Sequence, residues 1–160
     1  MTTAFNESIT FLRMIPDLED TTEEVPRYEG ASGIRYAVRL SSTKTNGAYA
    51  IVETVAPPGC STPMHIHRNE DEHYVVLAGT YRILIEDRLF HAPIGTSFTV
   101  PRGSRHTWRN MSNETGRLLA ILTPGGFENC IQTVRDSPTD KIPEVIERYG
   151  CVIVGQPLSR

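Results

Sequence analysis

Cysteine is scarce in this chain and poorly placed for pairing. Cys60, Cys130 and Cys151 are the only three in 160 residues. None belongs to a CxxC pair and their number is odd, which argues against a disulfide scaffold and for three reduced thiols. Excess charge of either sign is also lacking: 16 basic residues against 19 acidic ones leave a net charge of −3. The basic residues are dispersed, so there is no electrostatic reason to expect nucleic acid or an anionic membrane as a partner. No apolar run approaches the ~20 residues that span a bilayer. The opening residues have no basic segment followed by an apolar one, as a secretory leader would, so a cytoplasmic location is expected. Internal repeats and low-complexity tracts are absent as well.

What remains is ordinary for a globular domain: 39% apolar and 22% charged residues. The length suits one domain with a sizeable core. Three parts are expected. Residues 1–30 form an N-terminal extension with a possible edge strand at 11–15 and an acidic surface loop at 17–24. Residues 31–135 form a β-barrel. Residues 136–160 form a C-terminal helix and tail.

Short apolar runs separated by turn residues fill the middle of the chain. Strands are expected at 34–40, 49–55, 72–78, 81–85, 89–91, 97–100, 106–111 and 118–122, with 127–134 closing the sheet region and 152–154 adding a last strand. Asn46-Gly47 is the strongest hairpin signal. Many short strands at close spacing point to an all-β sandwich or barrel. One helix is expected. Ser137 to Asp140 reads as a capping box with Pro138 at the first helical position. Ile142, Val145, Ile146 and Tyr149 then line one face, and Gly150 ends the helix.

The chemistry concentrates in two stretches. In the first, His65 and His67 stand two apart, so on a strand both project from one face. Glu72 follows a short polar turn and can project beside them from the neighbouring strand. In the second, His106 follows a Pro101/Gly103 turn. Three imidazoles and a carboxylate brought to one point suit Fe, Mn, Co, Ni, Cu or Zn. We therefore expect one divalent transition metal ion held by His65, His67, Glu72 and His106. Glu70 and Asp71 compete with Glu72 for the carboxylate role, but are expected on a solvated turn. His73 should face away from Glu72, and His91 is expected to be uninvolved. Alternation puts Tyr74 and Val76 on the face of Glu72, and Trp108 and Asn110 on the face of His106. Tyr74 and Trp108 are thus candidate pocket walls, and Asn110 a candidate turn-fixing residue. Arg82, Glu53 and Tyr49 reach the interior only if strand register allows.

These two stretches resemble the paired motifs of the cupin superfamily. The first runs Gly, five residues, His-x-His, four residues, Glu, six residues, Gly, and is filled by Gly59, His65, His67, Glu72 and Gly79. The second runs Gly, five residues, Pro-x-Gly, two residues, His, three residues, Asn, and is filled by Gly95, Pro101, Gly103, His106 and Asn110. The resemblance implies a double-stranded β-helix, or jelly-roll barrel, with the one C-terminal helix. Asn69 to Val76, Thr123 to Glu128, and the final helix leading to Arg148 to Gly150 further resemble the quercetin-dioxygenase-like group of single-domain cupins. In that group aromatics at the positions of Tyr74 and Trp108 line the substrate pocket. The resemblance implies a dioxygenase acting on a small aromatic or enolisable molecule, with Glu72 taking the substrate proton if it loosens from the metal, and by family habit a homodimer. Two alternatives stay open: a redox-neutral isomerase, lyase or cyclase, and a non-catalytic module that binds or senses a metabolite.

Overall fold

Residues that alternate apolar and polar with period two cannot hide both faces, so they stack as sheets around a shared interior. The computed structural model describes residues 27–29 and 33–159. The edge strand expected at 11–15 and the acidic loop at 17–24 lie outside the described residues. Eleven strands appear among those described: β1 (Arg27–Glu29), β2 (Arg35–Leu40), β3 (Ala50–Ala56), β4 (Met64–His67), β5 (Asp71–Ala78), β6 (Tyr81–Ile85), β7 (Arg88–Ala92), β8 (Ser97–Val100), β9 (His106–Asn110), β10 (Gly116–Thr123) and β11 (Cys151–Gly155). They form two antiparallel sheets. One runs β1-β2-β3-β10-β5-β8 and the other β11-β4-β9-β6-β7. This is the expected all-β jelly roll, with its two sheets facing each other.

The even-numbered residues of β5 and β10 point inward. Glu72, Tyr74 and Val76 are buried on β5, and Leu118, Ala120 and Leu122 on β10. Register pairs Leu118 with Val76, Ala120 with Tyr74 and Leu122 with Glu72. From the facing sheet, Tyr81, Ile83 and Trp108 complete the main core. A smaller cluster of Ala50, Val52 and Leu122 continues it, with Tyr36, Phe127 and Ile131 packed alongside. Each fully buried valine, leucine or isoleucine among them contributes roughly 1.5–3 kcal/mol.

Two motif glycines fix the chain's path. Gly79 turns β5 into β6 at φ +84°, where a side chain would be strained and would press on Ser112 and Gly116. Gly103 takes φ +82°, and its N–H donates to the carbonyl of His67 at 2.7 Å. That bond ties the second motif to the strand carrying the first.

The C-terminal third departs from expectation. Residues 128–135 are not sheet but helix α1 (Glu128–Arg135). Glu128 holds its start: it is buried and accepts from the N–H groups of Ser42 and Gly126, both at 2.7 Å. The expected helix is present but begins later, as α2 (Ile142–Arg148) after a 3-10 turn at Thr139–Lys141. Ser137 does not cap it; its hydroxyl donates to the Thr133 carbonyl at 2.6 Å, closing α1 instead. The apolar stripe behaves as read, with Val145 buried and the Tyr149 hydroxyl 2.8 Å from that of Thr133. The β2–β3 hairpin also differs in detail. A 3-10 turn at Ser42–Thr45 precedes Asn46 and Gly47, both of which take positive φ.

Candidate metal centre

Strand β4 presents His65 and His67 on one face, as period two requires. Antiparallel pairing sets His65 opposite His106 on β9, so all three imidazoles come from one sheet. Glu72 does not come from a neighbouring strand, as expected, but from β5 in the facing sheet. It reaches the histidines across the interior. The four side chains bring one ligand atom each to within 4.8 Å of one another. A single ion holding ligands at about 2.0–2.2 Å separates opposite ones by roughly 4 Å, so the cluster can hold a divalent metal after a small contraction.

The imidazoles are oriented from behind. His65 Nδ1 lies 2.8 Å from the Pro63 carbonyl, and His106 Nδ1 lies 3.1 Å from that of Ser104. A carbonyl only accepts, so both Nδ1 atoms carry hydrogen and both Nε2 atoms are free to ligate. The consequence is sharpest at His106. Its Nε2 stands 2.8 Å from Glu72 Oε2, and both atoms are buried. At that distance a proton or a cation lies between the two atoms. The other Glu72 oxygen is occupied, with Oε1 accepting from the Tyr74 hydroxyl at 3.0 Å.

The electrostatics agree. Burial alone would raise the pKa of Glu72, but the imidazoles of His67, His106 and His65 outweigh it and hold the carboxyl down at about 2. Burial, and the charge of His106 after it, depress His65 to about 3. Burial would lower His67 too, but there Glu72, Cys151 and Glu70 prevail and lift it to about 10. In the absence of a metal, the cluster is thus built to keep one positive charge next to Glu72.

Several expectations need correction. Glu70 is not on a solvated turn: it is 4% exposed, with Oε2 3.5 Å from His67 Nδ1. The turn is folded inward because Arg68 N–H donates to the Gly150 carbonyl at 2.9 Å, pinning it beneath the start of β11. Asp71, by contrast, is half exposed and paired with Arg102. His73 does face away, bonding Thr99 at 2.8 Å, and His91 is exposed. None of the three conditional residues reaches the interior. Glu53 points off the outer face, where the guanidinium groups of Arg39 and Arg117 hold it and keep its carboxyl acidic despite burial. Arg82 alternates with the buried Tyr81 and Ile83, and Tyr49 is exposed. A cavity of about 160 Å³ opens beside Arg35, Arg39, Glu53 and Arg117, and its lining includes none of the four clustered residues.

Tyr74 and Trp108 are buried, at 5% and 3% exposure. Tyr74 stacks on Phe98 at 5.2 Å and Trp108 meets Tyr81 edge-on at 5.6 Å. Asn110 is fully buried: its Nδ2 donates to the carbonyls of Ala56 and Glu114, and its Oδ1 accepts from Ser112. That network fixes the turn after β9. Two residues near the cluster had escaped notice. Phe127 lies edge-on to His67 at 4.2 Å. Tyr36 packs against both core clusters, and its hydroxyl is pushed up to about 12 by burial and by the nearby Cys151 and Glu72. The inward parity of Tyr36 on its strand could have signalled it; Phe127 sits at a sheet-to-helix transition that periodicity did not identify. Among the described residues no disulfide links Cys60, Cys130 and Cys151.

Residues 52–122 match the family model described as the cupin domain. Among solved structures, KdgF from Halomonas sp. superposes with a TM-score of 0.60 at 15% identity, covering 68% of this chain and 94% of that one. A predicted oxalate decarboxylase from Thermotoga maritima gives 0.56 at 24% identity, covering 63% and 94%. The polyketide cyclase RemF from Streptomyces resistomycificus gives 0.54 at 22% identity, covering 62% and 74%. These likenesses show the fold. A curated protein from Myxococcus xanthus named endoribonuclease YbeY is 37% identical over 87 residues, 54% of this chain. The matched stretch is only 28% of that protein, so the activity in its name is not carried over.

Proposed function

With the cupin superfamily supported by the matched domain and the fold, we propose that this protein is a metal-dependent enzyme, a dioxygenase, acting on a small aromatic or enolisable molecule. His65, His67, Glu72 and His106 would hold one divalent transition metal ion. The observation that carries the reading is the convergence of His65, His67, Glu72 and His106, each bringing one ligand atom to within 4.8 Å of the others. A bound ion of this kind supplies Lewis acidity and, if redox-active, an electron path to dioxygen.

The rest is the work of the chain. The nearby apolar surface, from Leu122, Val52, Phe127 and Tyr36, favours a flat, largely apolar substrate. Trp108 supports the pocket from within the core. Tyr74 positions Glu72 by donating to Oε1, and Glu72, once loosened from the metal, is the proton acceptor. The imidazoles keep that carboxylate a weak base. It therefore suits an acidic hydroxyl, such as a phenol or an enol, better than an alcohol. Metal analysis of the purified protein, followed by aerobic and anaerobic assays on flavonols and phenols, tests the proposal. Oxygen-dependent turnover that His106→Ala abolishes is expected. Turnover unchanged without dioxygen would replace the dioxygenase with a redox-neutral isomerase, lyase or cyclase. A tight complex that never turns over would leave a binding or sensing module.

A further inference from the structure

His67 differs from its two partners in what stands behind it. His65 and His106 each direct Nδ1 at a backbone carbonyl two residues upstream. His67 has no such carbonyl. Its Nδ1 faces Glu70 Oε2 at 3.5 Å, and both atoms are buried with no hydrogen-bond partner. Glu70 is 4% exposed and His67 3%. The thiol of Cys151, which β11 pairs opposite His67, also lies beside the ring, and a thiol is a weak acceptor. A buried carboxylate with an unengaged oxygen is costly unless a charge or a donor answers it.

We propose that Glu70 is a positioning residue for the metal centre: it accepts the Nδ1 hydrogen of His67, holds that ring with Nε2 inward, and supplies a second negative charge. The inference rests on the metal-site reading above. Two features favour it. A carboxylate behind a ligating imidazole fixes its tautomer and raises its basicity, which a backbone carbonyl does less strongly. Charge balance is the other. A divalent ion answered by Glu72 alone leaves one uncompensated positive charge in a buried site, and Glu70 cancels it. The 3.5 Å separation closes to hydrogen-bond length with a shift of under about 1 Å.

The experiment compares metal affinity in the full-length parent, Glu70→Gln, Glu70→Asp and Asp71→Asn, by competition of zinc against a chromophoric chelator. Asp71→Asn removes one carboxylate from the same segment, but a half-exposed one that serves Arg102. Glu70→Gln is expected to weaken zinc binding about ten- to 100-fold, Glu70→Asp less, and Asp71→Asn not measurably. In the zinc-loaded parent the His67 Nδ1–H proton should resonate far downfield and move upfield in Glu70→Gln, while those of His65 and His106 stay. Equal affinity for the parent and Glu70→Gln, or an equal loss in Asp71→Asn, overturns the role of Glu70 while leaving the metal site standing. A parent that binds no zinc, manganese, iron, cobalt, nickel or copper overturns both. If Glu70→Gln does not fold, Glu70→Asp decides: unchanged affinity together with an unchanged His67 resonance refutes the proposal.

Discussion

Removing and restoring the metal is the perturbation with the most direct consequence. The four candidate ligands lie on three strands, from His65 on β4 to His106 on β9, so they come together only in the folded chain. Whatever free energy the ion gains on binding is then added to folding stability. At free metal about 100-fold above Kd the gain is ~2.7 kcal/mol, and at about 1,000-fold it is ~4.1 kcal/mol. For a domain near this length each kcal/mol moves Tm by about 2–4 °C, so saturation should raise Tm by roughly 8–16 °C. The assay is thermal unfolding of chelator-stripped protein, titrated with zinc or manganese, beside His65→Ala. His65 is the least buried ligand, so its loss should spare the fold while cutting most of the metal-induced shift. A parent whose Tm ignores every divalent transition metal would refute the reasoning. So would a His65→Ala protein that gains as much as the parent.

Three further outcomes follow from the packing and the charges. Asn110→Ala strands the buried carbonyl of Ala56 and the N–H of Ser112, and should cost about 3–5 kcal/mol in urea unfolding, with no special effect on metal affinity beyond that. Leu118→Ala, at a fully buried position between the sheets, should cost about 2–5 kcal/mol by the same measure. In metal-free protein, His65 and Glu72 have depressed folded pKa values, about 3 and 2, so their stabilisation is lost as pH falls below about 6.5 and 4.5 toward those values. His67 is raised to about 10, so its contribution is intact below about 6.5 and is lost as pH rises toward 10. Urea midpoints should therefore peak near pH 6.5, and bound metal should flatten the alkaline limb; midpoints that climb steadily from pH 6.5 to 9 without metal would contradict this.

The sequence by itself determined the candidate ligand set and most of the strands. Period-two alternation is local, and it put His65 with His67, Glu72 with Tyr74, and His106 with Trp108 and Asn110 on common faces before any pairing was known. The turn residues were equally legible, because positive φ at Gly79 and Gly103 is a demand of one residue's own backbone. Tertiary structure decided the rest. Glu70 reads as a solvated residue in a polar run, and only the bond from Arg68 to Gly150, 82 positions away in the chain, folds that run under β11 and buries it. The segment 128–135 has enough β-branched and apolar residues to pass for a strand; it is helical because buried Glu128 is held by Ser42, far off in sequence. Whether Glu72 meets the histidines from a neighbouring strand or across the barrel likewise depended on sheet order, which no local pattern encodes.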